Sequence, residues 1–209
     1  TTLEGFKIKL DSAREQCSID VAFWGGVVPG NTSELAPLLE AGVRGFKCFL
    51  IHSGVDEFPN VTEADLLIAI AELTAINAVL LVHAELPEPI EHAAAEASRS
   101  DPKLFQTFLH SRPRLAENQA IELMIRLARE TGARIHIVHH SSSDALPMLE
   151  WAKADGVRIT VETCPHYLTF AAEDVPHGAT EFKCCPPVRE RENREKLWEA
   201  LGRGVIDMV

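Results

Sequence analysis

The feature that most constrains this chain is a regular alternation of short apolar runs with longer stretches of helical spacing. CSIDVAF (17–23), GFKCFL (45–50), AVLLVH (78–83), RIHIVH (134–139) and VRITVET (157–163) read as strands, and IDMV (206–209) as the opening of a sixth. Helical patterns lie between them, at 32–41, 63–76, 117–132, 145–156 and 192–204. Two shorter helical segments fill the gap after AVLLVH. Strands apolar on both faces and joined by helices indicate a parallel sheet with right-handed crossovers. A doubly wound sheet and a TIM barrel both satisfy that pattern. No G-x-G-x-x-G follows the first strand, which weighs against a dinucleotide-binding fold.

Local signals set the helix ends. Asn31 or Thr32 caps the first helix and Gly42 stops it. Thr62, with Asp65 three residues on, is a variant of the capping box. Asp101 and Pro102 suit an N-cap and first helical residue. Residues 121, 124, 125 and 128 form one apolar helix face, closed by Gly132.

With 209 residues the chain can bury one sizeable core, and it has no internal repeat or Pro/Gly/Ser linker. The expectation is one domain, or part of one, over 1–209. A net charge of −11 argues against a nucleic-acid surface. The densest basic run, RERENREK (189–196), reads as a solvated, ion-paired helix face. No run reaches the roughly 18–20 apolar residues of a membrane span, and the first ten residues lack a signal-peptide pattern. Cys17, Cys48, Cys164, Cys184 and Cys185 form an odd set without C-x-x-C spacing. That is no disulfide framework and points to a reducing, cytoplasmic setting.

Ionisable residues recur at or near strand ends: Lys47, His83, the pair His139 and His140, and CPHY after the fifth strand. In a parallel α/β fold those ends converge on the face where active sites are built. A strand-end histidine is commonly structural, but four neighbouring strands with ionisable ends favour a site. Lys47, between Phe46 and Cys48, is either an edge lysine reaching water or a buried amine with chemistry to perform. Burial favours the neutral amine, which can serve as a base or react with carbon dioxide to give an anionic carbamate able to bridge two cations. Neutral imidazoles suit zinc or a similar ion. Alternation along a strand allows only one of His139 and His140 into a site and turns His136 away from His139. CPHYL and KCCPPVR read as substrate-side loops, and His52, His92, His110 and His177 as solvent-facing.

Taken in order, FWGGVVPGN, GFKCFLIHSG, LVHAE, HIVHHSS, ETCPHYLTF, KCCPPVRE and IDMV resemble the cyclic amidohydrolases of the amidohydrolase superfamily, most closely the allantoinase branch. GFKCFL with ETCPHYL and KCCPP carries the specificity of the match. The resemblance implies a TIM-like (β/α)8 barrel, of which 1–209 would be the central part. It implies two divalent metal ions, zinc by default, with Lys47 as carboxylated bridging ligand and His83 and His139 as ligands. A hydroxide between the ions would open a cyclic ureide, allantoin to allantoate. Backbone groups at Cys185 would hold the ring's amide edge, and His166 would lie near the substrate. The resemblance further implies a homo-oligomer, with no nucleic-acid or membrane partner.

The family's His-x-His pair is not in the chain, and its proton-shuttle aspartate is expected just beyond Val209, Asp207 not being that residue. The chain by itself is therefore expected to be inactive. His52 stands where dihydropyrimidinases and hydantoinases carry a tyrosine, and no arginine-rich grip for dihydroorotate is evident. A non-catalytic scaffold relative is the alternative from another class.

Overall fold

A computed structural model describes residues 1–209. In chain order its elements are α1 (Leu3–Ala13), β1 (Gly25–Gly26), α2 (Thr32–Glu40), β2 (Phe46–Phe49), α3 (Glu63–Ala75), β3 (Val79–His83), α4 (Pro87–Ala97), α5 (Phe105–Ser111), α6 (Arg114–Thr131), β4 (Arg134–Ile137), α7 (Leu146–Ala154), β5 (Ile159–Val161), α8 (Pro165–Thr169) and α9 (Arg191–Gly202). All neighbouring strands pair in parallel, in the spatial order β1-β2-β3-β4-β5. That order separates the two architectures the pattern allowed. A doubly wound sheet reverses strand order at a switch point, whereas a barrel lays its strands down in sequence. The chain is thus an arc of a TIM-type barrel. A parallel bridge from Glu162 to Met208 marks a sixth strand position beside β5. Asp207 secures it, accepting hydrogen bonds from Val161 N at 2.7 Å and Lys153 Nζ at 2.6 Å.

The register sorts the strand residues onto two faces. Phe46, Cys48, Leu80, Val82, Ile135, Ile137, Ile159 and Val161 are all buried. They belong to a single apolar cluster that also takes Leu66, Ile70 and Leu73 of α3 and Ile121, Met124 and Leu127 of α6. On the opposite face, in register, lie Lys47, Leu81, His136 and Thr160. Phe49 and His83, themselves a register pair, share that face because each is two residues further along its strand. The helices therefore cover the apolar face, and the polar side chains collect on the other.

Several boundaries depart from the sequence expectation. Residues 17–23 form no strand; Ile19 and Val21 are exposed, and β1 is instead Gly25–Gly26. The glycines allow this: a Cβ on Gly25 would stand 2.6 Å from the Phe46 ring, and one on Gly26 2.6 Å from Phe58. Gly25 N and Val27 N then donate to Gly45 O and Lys47 O, each at 2.8 Å. Backbone proximity, not an apolar run, defines this strand. The helix expected at Asp101–Pro102 begins at Phe105; Asp101 instead caps a turn by accepting from Lys103 N at 2.9 Å. The capping box is complete, since Thr62 accepts from Asp65 N while Asp65 accepts from Thr62 N. Helix α1, which carries no strong apolar stripe in sequence, buries only Phe6, and Leu3 N donates to Glu34 Oε2 at 2.8 Å.

Candidate functional site

Two imidazoles from different strands meet at the C-terminal end of the sheet. His83, the last residue of β3, is buried, and its Nδ1 lies 3.1 Å from His139 Nε2. The rings pack edge to face with centroids 4.7 Å apart. His139 reaches this position because β4 stops at Ile137 and the backbone turns to φ 43° at His139, a left-handed conformation rare for a residue other than glycine. Alternation counted along the strand therefore does not apply there. His139 thereby meets His83, while His140 turns to Glu117. His136 also lies on the polar face, in register with Leu81, bonded to Thr160 Oγ1 at 2.7 Å.

Burial, the neighbouring His83 and the Lys47 cation hold the His139 pKa down to about 3, so the ring is neutral near pH 7. Its Nδ1 is buried without a hydrogen-bond partner. Lys47 approaches from the next strand. Its Nζ sits 4.2 Å from the centroid of Phe49, whose ring in turn stacks on His83 at 5.1 Å. Lys47 is half-buried, and desolvation lowers its pKa, with Cys48 and Glu162 opposing. The Phe49 face favours the cation and so opposes desolvation. Phe49 thus bridges the amine to the imidazoles.

The outer nitrogen of His83 is held from behind. Its Nε2 lies 2.7 Å from Glu85 Oε2, which also accepts from Arg112 Nη1 at 2.9 Å. Glu85 is 1% exposed. Sequence reasoning passed over this carboxylate, although its place two residues after His83 was a usable signal.

A second network was also missed. Glu117 of α6 is fully buried, accepts from Ser141 N at 2.7 Å, and faces Arg189 Nη2 at 3.5 Å. His140 Nδ1 lies 3.2 Å from the same carboxylate in ion-pair contact without hydrogen-bond alignment. The RERENREK run is consequently not a uniformly solvated face. Arg189 is buried against Glu117, and Asn193 is buried, accepting from Ser143 N and donating to Ser141 O. The signal was Glu117 itself, a charge four residues before Ile121 on the apolar stripe of its helix. Arg191, Arg194 and Lys196 do form ion pairs toward solvent, as expected.

The substrate-side loops are anchored but divided. Tyr167 Oη donates to Pro186 O at 2.6 Å, and Ser141 Oγ to Pro187 O at 2.7 Å. His166 lines a cavity of about 360 Å³ together with Phe170, Phe182, Cys184 and Val188. Cys184, rather than the exposed Cys185, joins His166 there. All five cysteines are free thiols, and His52, His92, His110 and His177 are exposed.

No three side chains among His, Cys, Asp and Glu gather closely enough to hold a metal ion. The two imidazoles nonetheless fit a shared ion. Nitrogens about 2.0–2.1 Å from one tetrahedral zinc stand roughly 3.3 Å apart, close to the 3.1 Å between His83 and His139. The neutrality of His139 and the second hydrogen bond on His83 suit the same role.

The comparisons with known proteins point to one group of relatives. Over all 209 residues the chain is 52% identical to an allantoinase of Streptomyces avermitilis, of which it spans 46%. The chain is similar to allantoinases along its whole length. It is also 52% identical to a mitochondrial allantoinase of Aquarana catesbeiana, again over the whole chain and 42% of that relative. Among solved structures, the L-hydantoinase (dihydropyrimidinase) of Arthrobacter aurescens superposes on the whole chain with a TM-score of 0.92 at 31% identity, the match covering 46% of that protein. No protein-family model matches the chain. The chain thus spans less than half the length of the allantoinases it resembles, and no helix in it is long and apolar enough to cross a membrane.

Proposed function

We propose that this chain supplies one wall of the active site of an enzyme that opens allantoin to allantoate by hydrolysis. The observation that carries the proposal is the convergence of His83 and His139, from separate strands, beside a half-buried lysine. His83 would offer Nδ1 and His139 Nε2 to one divalent ion. Lys47, its pKa lowered by desolvation, would take up carbon dioxide and become an anionic bridge to a second. Bound zinc would polarise the substrate carbonyl and lower the pKa of water.

The protein's own part is to hold the two imidazoles at a fixed spacing and to present the ring. The loop holding Cys185 is tied down by Tyr167 and Ser141, which supports a role for its backbone in gripping a cyclic ureide. His166 would border the substrate from the adjoining cavity. The five free thiols fit a reducing compartment such as the cytoplasm.

Hydantoin or dihydropyrimidine is the second substrate reading, supported by the Arthrobacter aurescens likeness. The test is a graft: residues 1–209 replace the matching segment of the Streptomyces avermitilis relative. Zinc-dependent turnover of allantoin in preference to hydantoin and dihydrouracil is expected. A folded graft with no turnover of allantoin contradicts the proposal.

A further inference from the structure

We propose that Glu85 is a positioning residue that fixes which nitrogen of His83 carries the proton. The inference rests on the metal reading above and concerns a residue outside the ligand set. His83 Nε2 is 2.7 Å from Glu85 Oε2, and that oxygen, already accepting from Arg112 Nη1, meets the ring as an acceptor, so the proton on this ring sits on Nε2. His83 Nδ1 then carries a lone pair, and the 3.1 Å contact obliges His139 Nε2 to donate to it. That assignment leaves His139 Nδ1 as an acceptor facing no donor, in agreement with its buried, unpartnered state. One carboxylate thereby sets the tautomers of both rings in the absence of an ion and keeps Nδ1 of His83 open; an ion on His139 Nε2 would move that ring's proton to the unpartnered Nδ1.

Arg112 completes the arrangement. It donates to the same Oε2 at 2.9 Å, giving a carboxylate that is 1% exposed its counter-charge. Its backbone carbonyl accepts from Arg189 Nη1 at 3.4 Å, linking it to the loop that carries Cys185. A histidine ligand held from behind by a carboxylate is oriented as well as made more basic, and loss of such a partner typically weakens metal binding about 10–100-fold.

The test reads the tautomers directly, by long-range proton–nitrogen NMR on the metal-free graft labelled at histidine. In the unsubstituted graft His83 is expected to be protonated on Nε2. In Glu85→Leu the acceptor facing that nitrogen is gone, so the proton is expected to shift toward Nδ1, with His139 Nε2 as its acceptor. Zinc is then titrated while the His83 and His139 resonances are followed. Glu85→Leu should need roughly 10–100-fold more zinc for the same response. A His83 protonated on Nδ1 in the unsubstituted graft overturns the proposal without recourse to any variant. So does a Glu85→Leu graft with unchanged tautomer and zinc response. If zinc moves neither imidazole in the unsubstituted graft, the metal reading fails, while the tautomer measurement still decides the role of Glu85.

Discussion

His83 Nδ1 and His139 Nε2 stand 3.1 Å apart although 56 positions separate the two residues in sequence. Strand pairing alone does not produce this contact, because β4 ends at Ile137. The left-handed backbone at His139 brings its ring back toward β3. Such a conformation in a bulky residue costs of order 1–3 kcal/mol and persists where the surroundings enforce it. Here they do: His140 next to it is pinned against Glu117, and His140 N donates to Glu162 O at 2.8 Å.

Replacement of His139 by alanine is the first prediction. It removes one of the two imidazoles and relieves the local backbone strain only in part, since alanine also disfavours positive φ. Zinc binding by the graft, measured calorimetrically, should be lost, while its thermal unfolding should change little. Treatment of the unsubstituted graft with a chelator should abolish allantoin turnover, and added zinc should restore it.

Glu117 makes stability depend on acid. Burial alone would raise its pKa, but His140, Arg189 and the Ser141 N–H together hold it at about 2 against an ordinary 4.5. A depressed carboxyl pKa means that the unfolded chain binds the proton first. The stabilisation is therefore complete above about pH 4.5 and is lost as pH falls through about 2. Denaturant unfolding followed from pH 7 to pH 2.5 should show stability falling across the acid part of that range. Glu117→Gln should flatten that slope and cost about 3–5 kcal/mol at neutral pH, because it leaves Arg189 buried without its partner.

Packing at β1 is tested by Gly25→Ala. The added methyl group would begin 2.6 Å from the Phe46 ring, which is itself fully buried and cannot withdraw. Overpacking of that kind costs about 1–3 kcal/mol, measurable as a lowered denaturant midpoint with unchanged slope.

The first turn of α3 offers a surface control. Thr62→Ala removes the acceptor for Asp65 N and half of the capping box. A loss of about 1 kcal/mol is expected by denaturant unfolding, with no effect on zinc binding.

How much of this was legible in the sequence follows from the range of each signal. β2, β3, β4 and β5 and their helices were readable because burial on a sheet or helix face imposes a local period. β1 was not, since two glycines have no side chains to pattern; their role depends on Phe46 and Phe58, brought near by the fold. The run at 17–23 looked like a strand because apolar content alone does not ensure burial. At the site, the strand-end positions of Lys47 and His83 were legible. The contact of His139 with His83 was not legible from alternation, because it depends on a single φ angle beyond the end of β4. Glu85 and Glu117 act through Arg112 and Arg189, partners far along the chain, and no local pattern names such pairs.

The most direct measurement is the anomalous scattering of zinc in crystals of the graft. The account predicts a zinc peak within coordination distance of His83 Nδ1 and His139 Nε2, and a second across a modified Lys47 side chain. Zinc bound elsewhere, with these imidazoles still joined to each other in a graft that hydrolyses allantoin, would contradict it.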